Sequence, residues 1–300
     1  MRLGIDIGGT KTDAVAVDES GALAQRIRLA TGFGHAAVVE TAVTAVARIG
    51  ELTGIDARGF ASIGIGIPGL VDTASGEVAH AVNLGVDRLP LGGALADRLG
   101  VGVRIENDVK AASLGAYDVL GLDGTMAYLN LGTGMAAGIV VDGRLWRGAT
   151  GIAGEIGHLP VDPAGAVCAC GQRGCLETVA SGSAIARQWR TDDPIPARAL
   201  FAAAADGDRE AQAIKDRLAE GIAAAVRVLV LTVDVDTVVI GGGLSHLGDP
   251  LLGDVHEVLE RWGRTSPFLA SLALPQRARL VPAGSPVAAL GAAIVGGTSG

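Results

Sequence analysis

The order of apolar and polar positions repeats along the chain. A short apolar run, a glycine turn and two further strand-like runs open the sequence, and the same order returns near residue 125. The predicted strands of the first group are Leu3–Ile7, Thr12–Val17 and Leu23–Leu29. Those of the second group are Thr125–Leu131, Met135–Val141 and Arg144–Trp146. The recurrence predicts two related halves.

Each group of strands is followed by helices that alternate with further strands. Apolar residues at helical spacing predict helices at Ala36–Ile49, Leu91–Leu99, Val109–Tyr117, Ala180–Gln188, Ala197–Ala205, Arg209–Leu231, Leu251–Trp262 and Ala288–Val295. Short apolar runs predict strands at Ser62–Ile67, Val103–Glu106, Thr237–Ile240 and Arg279–Val281, and His80–Gly85 is predicted to be a loop. We expect an α/β fold with two lobes around a central cleft. Residues 1–117 with 288–300 would form the small lobe, and residues 118–287 the large lobe.

Composition narrows the classes of function. The formal net charge of −8 over 300 residues argues against a nucleic-acid surface, which is normally basic. The most apolar region, Ile222–Leu244, contains Arg227, Asp234 and Asp236, so no membrane span is expected. Met1 runs directly into a strand-like segment, so no signal peptide is expected. We therefore expect a cytoplasmic protein without nucleic-acid or membrane partners.

All three cysteines lie in one glycine-rich loop. Cys168, Cys170 and Cys175 follow shortly after His158. Three thiols and one imidazole form the ligand set of a closed, structural zinc site, since such a site has no open coordination position. Small buried cysteines beside an unrelated histidine are the alternative. The clustering favours zinc, because thiol-rich clusters in a chain without secretory features are usually metal sites.

Two further features suit the binding of phosphate and the transfer of protons. The turn Gly8–Gly9–Thr10–Lys11 allows backbone N–H groups to approach an anion closely, and Asp6 could hold Mg²⁺ through water. An ordinary glycine hairpin is the alternative. Asp108 stands where a strand meets a helix. It is therefore either a helix N-cap or a catalytic carboxylate.

Taken together, these features resemble the ROK family of bacterial sugar kinases and sugar-responsive repressors. The resemblance covers essentially the whole chain. The residues that carry it are Asp6–Lys11, Gly66–Gly69, Glu106–Asp108, Leu131–Gly134, Gly154–His158, Cys168–Glu177 and Gly241–Gly243. It implies the actin-like ATPase (ribonuclease H-like) fold. One departure is Val109–Lys110, where smaller residues are common in the family; Lys110 could shift substrate preference.

The resemblance also implies a role for each matched residue. Asp108 would be the base that takes a proton from a sugar hydroxyl during attack on the γ-phosphate of ATP. The implied sugar-binding residues are Gly69, Asn83, Asn107, Asp108, Glu155, His158 and Glu177. The implied nucleotide-binding residues are Asp6 on the Mg²⁺ side, Gly8, Gly9, Thr10, Lys11, Gly132, Thr133 and Gly134 at the phosphates, and Gly241, Gly242 and Gly243 beneath the adenosine. Each polar residue among them could instead stabilise its own loop.

The resemblance leaves several alternatives open. A glucokinase acting at the 6-hydroxyl is expected first. A kinase for N-acetylglucosamine, N-acetylmannosamine or another hexose, and a sugar-sensing regulator without catalysis, are the alternatives. Only seven residues, Met1–Ile7, precede the first glycine turn, which argues against a preceding DNA-binding domain. Polyphosphate could replace ATP, and a homo-oligomer, either a dimer or a tetramer, is expected.

Overall fold

The structure, a computed structural model, describes residues 1–297. The chain divides into two compact units. Unit 1 consists of Met1–Asp123, Val140–Ala153 and the chain from Ser285, and unit 2 consists of Gly124–Ile139 and Gly154–Gly284. The last three residues of the predicted segment 288–300 lie outside the described residues.

Strands and helices alternate along the chain. The strands are β1 (Arg2–Ile7), β2 (Lys11–Val17), β3 (Leu23–Ala30), β4 (Ser62–Ile67), β5 (Leu70–Asp72), β6 (Glu77–Ala81), β7 (Val86–Leu89), β8 (Arg104–Asn107), β9 (Thr125–Leu131), β10 (Met135–Val141), β11 (Arg144–Leu145), β12 (Thr237–Gly241) and β13 (Ala278–Leu280). The helices are α1 (His35–Thr53), α2 (Leu91–Leu99), α3 (Asp108–Val119), α4 (Gly182–Gln188), α5 (Pro196–Ala205), α6 (Arg209–Val233), α7 (Asp249–Thr265), α8 (Pro267–Ser271), α9 (Leu274–Arg277) and α10 (Val287–Gly297). Within residues 1–297, none of the helices combines the length and the apolar character needed to cross a bilayer.

Two five-stranded sheets share one topology. The first has the order β3-β2-β1-β4-β8, and the second has the order β11-β10-β9-β12-β13. Strands β1, β4 and β8 run parallel, as do β9, β12 and β13. The α/β class and the repeated strand order predicted from the sequence are confirmed. Parallel strands bring their carboxyl ends to one edge of each sheet, where ligands of such folds usually bind.

A small third sheet, β5-β6-β7, is absent from the sequence prediction. The prediction of a loop over His80–Gly85 was wrong, because β6 extends to Ala81 and a 3-10 helix occupies Val82–Leu84. His80 has a positive φ of 57°, and the buried residues of β6 are Val78 and Ala81. Because these two buried residues are three positions apart, β6 lacks the alternation of buried and exposed residues by which a strand is predicted.

The C-terminal helix α10 packs directly on the first sheet and on α3. A Cβ atom on Gly4, Gly64 or Gly115 would overlap a backbone carbonyl of α10. Glycine at these positions therefore permits a backbone-to-backbone approach. The sheet beneath is aliphatic, with Ile5 and Ile65 fully buried in its core. This packing supports the strand ends that carry the candidate site of unit 1.

Candidate active site

In unit 1, the carboxyl ends of β1, β4 and β8 bring two aspartates together. Gly66 of β4 pairs in register with Asp6 of β1 and with Glu106 of β8. A Cβ atom on Gly66 would lie 3.5 Å from Cα of Asp108 and 3.8 Å from Oδ1 of Asp6. The two aspartates therefore flank Gly66, where the missing side chain lets the first turns of α3 pack close to the strand end.

The environment of Asp6 disfavours its ionised form. Burial, followed by the neighbouring carboxylates of Asp108 and Asp13, raises the pKa of Asp6 from 3.8 to about 8. Asp13 is itself paired with Arg26 at 3.2 Å and with Arg28 at 2.9 Å. A cation bound near Asp6 would favour the ionised form of its carboxyl group.

Asn107, rather than Asp108, is the N-cap of α3. The Asn107 side-chain oxygen accepts hydrogen bonds from the N–H groups of Val109 and Lys110, at 3.1 and 3.2 Å. Its amide nitrogen donates to the carbonyl of Gly69 at 3.1 Å. The alternative that Asp108 is an N-cap is therefore corrected: Asp108 is the first helical residue, and its carboxylate accepts from the next N–H, that of Val109, at 2.9 Å.

An ion pair that the sequence pattern does not predict lies directly before these residues. Glu106 is only 2% exposed, and its carboxylate accepts from Nη2 and Nε of Arg147 at 2.7 and 2.9 Å. The other carboxylate oxygen accepts from the N–H of Asn107 at 3.0 Å. A glutamate inside a short strand was the available sequence signal, but Arg147 is 41 positions away. The pair connects the segment Val140–Ala153 to the strand that precedes Asp108.

Lys110 provides a second connection of the same kind. Its side chain is buried on α3, and its ammonium group donates to the carbonyl of Gly151. Burying an ammonium group without a hydrogen-bond partner is unfavourable, and the carbonyl of Gly151 provides that partner for Lys110. Lys110 therefore holds the first turn of α3 to the end of the segment Val140–Ala153.

The first glycine turn closes the β1–β2 hairpin. The N–H of Gly8 donates to the carbonyl of Lys11 at 3.0 Å, and the residues from Gly9 to Lys11 are exposed. A Cβ atom on Gly9 would lie 3.2 Å from Cβ of Asn83. The structure thus brings Asn83 and this turn together in unit 1.

In unit 2, the other two glycine turns follow neighbouring strands. Gly241, at the end of β12, pairs with Asn130 near the end of β9. Gly242 has a φ of +80°, and a Cβ atom there would lie 2.7 Å from the carbonyl of Leu131, next to Gly132. Gly132 and Thr133 accept hydrogen bonds from Gly182 and Ser183, at 2.8 and 3.1 Å. Both turns therefore lie at one edge of the second sheet.

The three thiols and the imidazole converge in unit 2. One ligand atom from each of four residues lies within 4.8 Å of the others; the residues are His158, Cys168, Cys170 and Cys175. Sγ of Cys170 is 3.7 Å from Sγ of Cys175, and Sγ of Cys168 is 3.8 Å from Nδ1 of His158. Sulfur ligands 2.3 Å from a tetrahedral ion lie about 3.8 Å apart. The spacing therefore suits a four-coordinate ion.

The surrounding groups favour a thiolate at one of these cysteines. Hydrogen bonds from the backbone and the side-chain amide of Gln172 lower the pKa of Cys170 to about 6. Burial raises the pKa of Cys175 to about 12. The loop lies against β10, because a Cβ atom on Gly157 would overlap the Met135 carbonyl. The adjacent His158 is thereby fixed relative to the second sheet.

Glu177 joins this cluster to the glycine turn that follows β9. One carboxylate oxygen accepts from the N–H of Met135 at 2.9 Å, and the other lies 3.8 Å from Sγ of Cys168. Glu155, by contrast, is exposed at the start of the 3-10 helix Ile156–His158. The predicted hexose ligands Glu155, His158 and Glu177 thus share one loop system within unit 2.

The chain is similar to known proteins over most of its length. The model of the ROK family matches residues 2–294. A glucokinase from Thermotoga maritima is 36% identical over 278 residues, which cover 85% of this chain and 86% of that protein. An N-acetylmannosamine kinase from Haemophilus influenzae is 32% identical over 264 residues, covering 86% and 85%. The crystal structure of a ROK family glucokinase from Streptomyces griseus, in complex with glucose and AMPPNP, has a TM-score of 0.81 at 30% identity and covers 98% of both chains.

The chain therefore belongs to the ROK family. The actin-like ATPase fold expected from the sequence resemblance is confirmed by this structural similarity over nearly the whole chain.

Proposed function

We propose that this protein is an ATP-dependent hexose kinase that phosphorylates glucose at its 6-hydroxyl. The observation that carries the proposal is the placement of Asp108. It lies at the carboxyl end of β8 beside Asp6, and Asn107 caps the helix instead. The similarity to glucokinases over 85% of the chain supports glucose as the substrate.

In this proposal Asp108 is the general base. It accepts the proton of the sugar hydroxyl as that oxygen attacks the γ-phosphorus of ATP, and ADP leaves. Phosphoryl transfer depends mainly on positioning and charge stabilisation, so one oriented carboxylate is sufficient for the proton. The capping bonds of Asn107 fix the backbone on which Asp108 stands. Gly69, Asn83 and Asn107 are proposed to bind the hexose from unit 1.

The glycine turns are proposed to bind the nucleotide. Gly8, Gly9, Thr10 and Lys11 in unit 1, and Gly132, Thr133 and Gly134 in unit 2, would offer N–H groups to the phosphates. Gly241, Gly242 and Gly243 would lie against the adenosine, since they adjoin the Gly132 turn at the same sheet edge. Mg²⁺ would supply the positive charge that neutralises the phosphates, and Asp6 would hold it through water.

The thiol cluster is proposed to hold structural zinc. His158 presents Nδ1 to the thiols, so Nε2 is the ring nitrogen that would carry a proton. That N–H would donate to a hydroxyl of the hexose. Zinc would then fix a substrate-binding side chain without taking part in the chemistry. Glu155 and Glu177, on the same loop system, are proposed to accept hydrogen bonds from neighbouring hydroxyls.

Kinases for N-acetylmannosamine or N-acetylglucosamine are the alternative within this class. The 32% identity to an N-acetylmannosamine kinase supports an amino sugar as the alternative substrate. A non-catalytic sugar sensor of the same family is the alternative from another class. Polyphosphate as phosphoryl donor, a cytoplasmic location and a dimer or tetramer stay predictions.

A coupled kinase assay over a hexose panel tests the proposal. We expect Mg-ATP-dependent phosphorylation, with the highest kcat/KM for glucose and a product phosphorylated at the 6-position by ³¹P NMR. A clear preference for either amino sugar would replace glucose but leave the kinase assignment in place. Hexose binding without phosphorylation of any panel member would favour the sensor.

A further inference from the structure

A cavity of about 760 Å³ lies in unit 1, beside the strand that precedes Asp108. Its walls come from the edge strand β8, the helices α3 and α10, the turn between β5 and β6, and the segment that includes β11. All its lining residues belong to unit 1. The volume is within the range of cavities that bind small molecules.

The charged lining of this cavity is unbalanced. Arg104, Arg144 and Arg147 face it together with a single carboxylate, that of Glu106. Glu106 is already paired with Arg147. Among residues 1–297, neither Arg104 nor Arg144 has an ion-pair or side-chain hydrogen-bond partner, and both are exposed. The guanidinium groups of Arg104 and Arg144 are therefore available to bind an anion.

Sheet geometry explains why Arg104 and Glu106 line the same cavity. Arg104 and Glu106 are two positions apart on β8, so their side chains project from the same face of the sheet. They pair with Gly64 and Gly66, whose missing side chains leave room for α10 and α3. Leu114 and Val295, from those two helices, add apolar side chains to the lining.

We propose that this cavity binds a small phosphorylated metabolite, with its phosphate on Arg104 and Arg144. Guanidinium groups bind phosphate oxygens through paired, charge-assisted hydrogen bonds. The apolar side chains of the lining would contact the remainder of the ligand. The shared chemistry is the phosphate group, and a hexose phosphate, a nucleotide and inorganic phosphate are its possible sources.

The site is connected to the proposed base by a chain of contacts. Arg147 binds Glu106, Glu106 accepts from the N–H of Asn107, and Asn107 caps the helix that begins with Asp108. Arg147 lines the same cavity, so a bound phosphate would compete with Glu106 for its guanidinium group, and weakening this pair is costly for a buried carboxylate. We therefore expect occupancy to lower kcat. This regulatory part rests on the proposed kinase function, whereas the binding part does not.

Isothermal titration tests the binding directly. The probes are inorganic phosphate, glucose 6-phosphate and ADP. The proteins are the wild type, Arg104→Gln/Arg144→Gln, and the charge-matched control Arg48→Gln/Arg190→Gln, whose two exposed arginines do not line the cavity. We expect at least one probe to bind about tenfold more weakly to the cavity variant than to the control. The probe with the largest loss identifies the source of the phosphate. Equal affinities of all three proteins for every probe would overturn the site.

Kinetics separates regulation from binding. The cavity variant should keep the basal kcat of the wild type but lose inhibition by the probe that it no longer binds. In the wild type, that inhibition should lower kcat at saturating hexose and ATP, which a competitor at the active site would not do. If the cavity variant bound the probe more weakly but were inhibited as strongly as the wild type, the binding site would stand. Its proposed connection to Asp108 would be overturned. If the protein had no kinase activity, the proposed function would fail, but the titration would still decide whether the cavity binds phosphate.

Discussion

Asp6 and Asp108 flank Gly66, and the pKa of Asp6 is raised first by its burial and then by the carboxylate of Asp108. Burial disfavours the ionised form of Asp6, and two neighbouring carboxylates repel each other when both are ionised. In a kinase such a pair is useful, because a divalent cation offsets the repulsion when the nucleotide binds.

The pH dependence of folding stability should reveal the raised pKa of Asp6. Its pKa is about 8 in the folded protein and has the ordinary value of 3.8 when unfolded. The folded state therefore binds more protons between these values, and stability falls as pH rises through this window. The slope from this group is at most about 1.4 kcal/mol per pH unit. Without Mg²⁺, Asp6→Asn should have a higher Tm than the wild type at pH 8, and the difference should shrink towards pH 5.

Asp123→Asn is the control for this measurement, because Asp123 is an exposed residue away from the strand ends. It should leave the pH profile of Tm unchanged. If Asp6→Asn and the wild type had parallel Tm profiles between pH 5 and 8, the raised pKa of Asp6 would be wrong.

Metal analysis tests the thiol cluster. Protein purified without added metal should contain one zinc per chain, and Cys170→Ser should lose it because one of four ligands is gone. The same variant should bind glucose more weakly, since the loop also carries His158 and Glu177. Gln172→Ala is the matched control: its side chain contacts Cys170 at 3.5 Å but is not a ligand, so it should keep the metal. Folded, active wild-type protein without zinc would contradict the prediction.

Two glycines in helices test the packing of α10. A Cβ atom on Gly291 would overlap the carbonyl of Ala111 on α3, whereas nothing lies within 4 Å of a Cβ atom on Gly253 in α7. Gly291→Ala should therefore destabilise unit 1 by about 1–3 kcal/mol. Gly253→Ala should stabilise its helix by about 0.5–1 kcal/mol. Thermal unfolding measures both; a Gly291→Ala protein as stable as the wild type would show that α3 and α10 separate at little cost.

The fold and much of the site were predictable because both depend on local patterns. Strand and turn order recurs in the sequence, and it reappears as the same topology in two sheets. The grouping of His158 with the three cysteines was predictable because the cysteines lie within eight consecutive positions. Parallel strands then explain why residues at the carboxyl ends of β1, β4 and β8 meet.

Features that depend on tertiary contacts were not predictable. Glu106 and Arg147 pair across 41 positions, and neither residue has a local pattern that selects the other. The N-cap of α3 is Asn107 rather than Asp108 because the helix begins at Asp108, one residue earlier than the predicted Val109. The hydrogen bond of Lys110 to Gly151 likewise requires knowledge of where the segment Val140–Ala153 lies.

The most direct test of the central claim compares Asp108→Asn with the wild type in glucose phosphorylation and in glucose binding. Asparagine keeps the shape of the side chain but cannot accept the proton, so kcat should fall by about 10²–10⁴-fold while glucose still binds, though more weakly. Asp118→Asn, at the exposed far end of the same helix, is the matched control and should retain full turnover. Near-normal turnover by Asp108→Asn would contradict the account, because Asp108 would then have only a structural role at the start of α3.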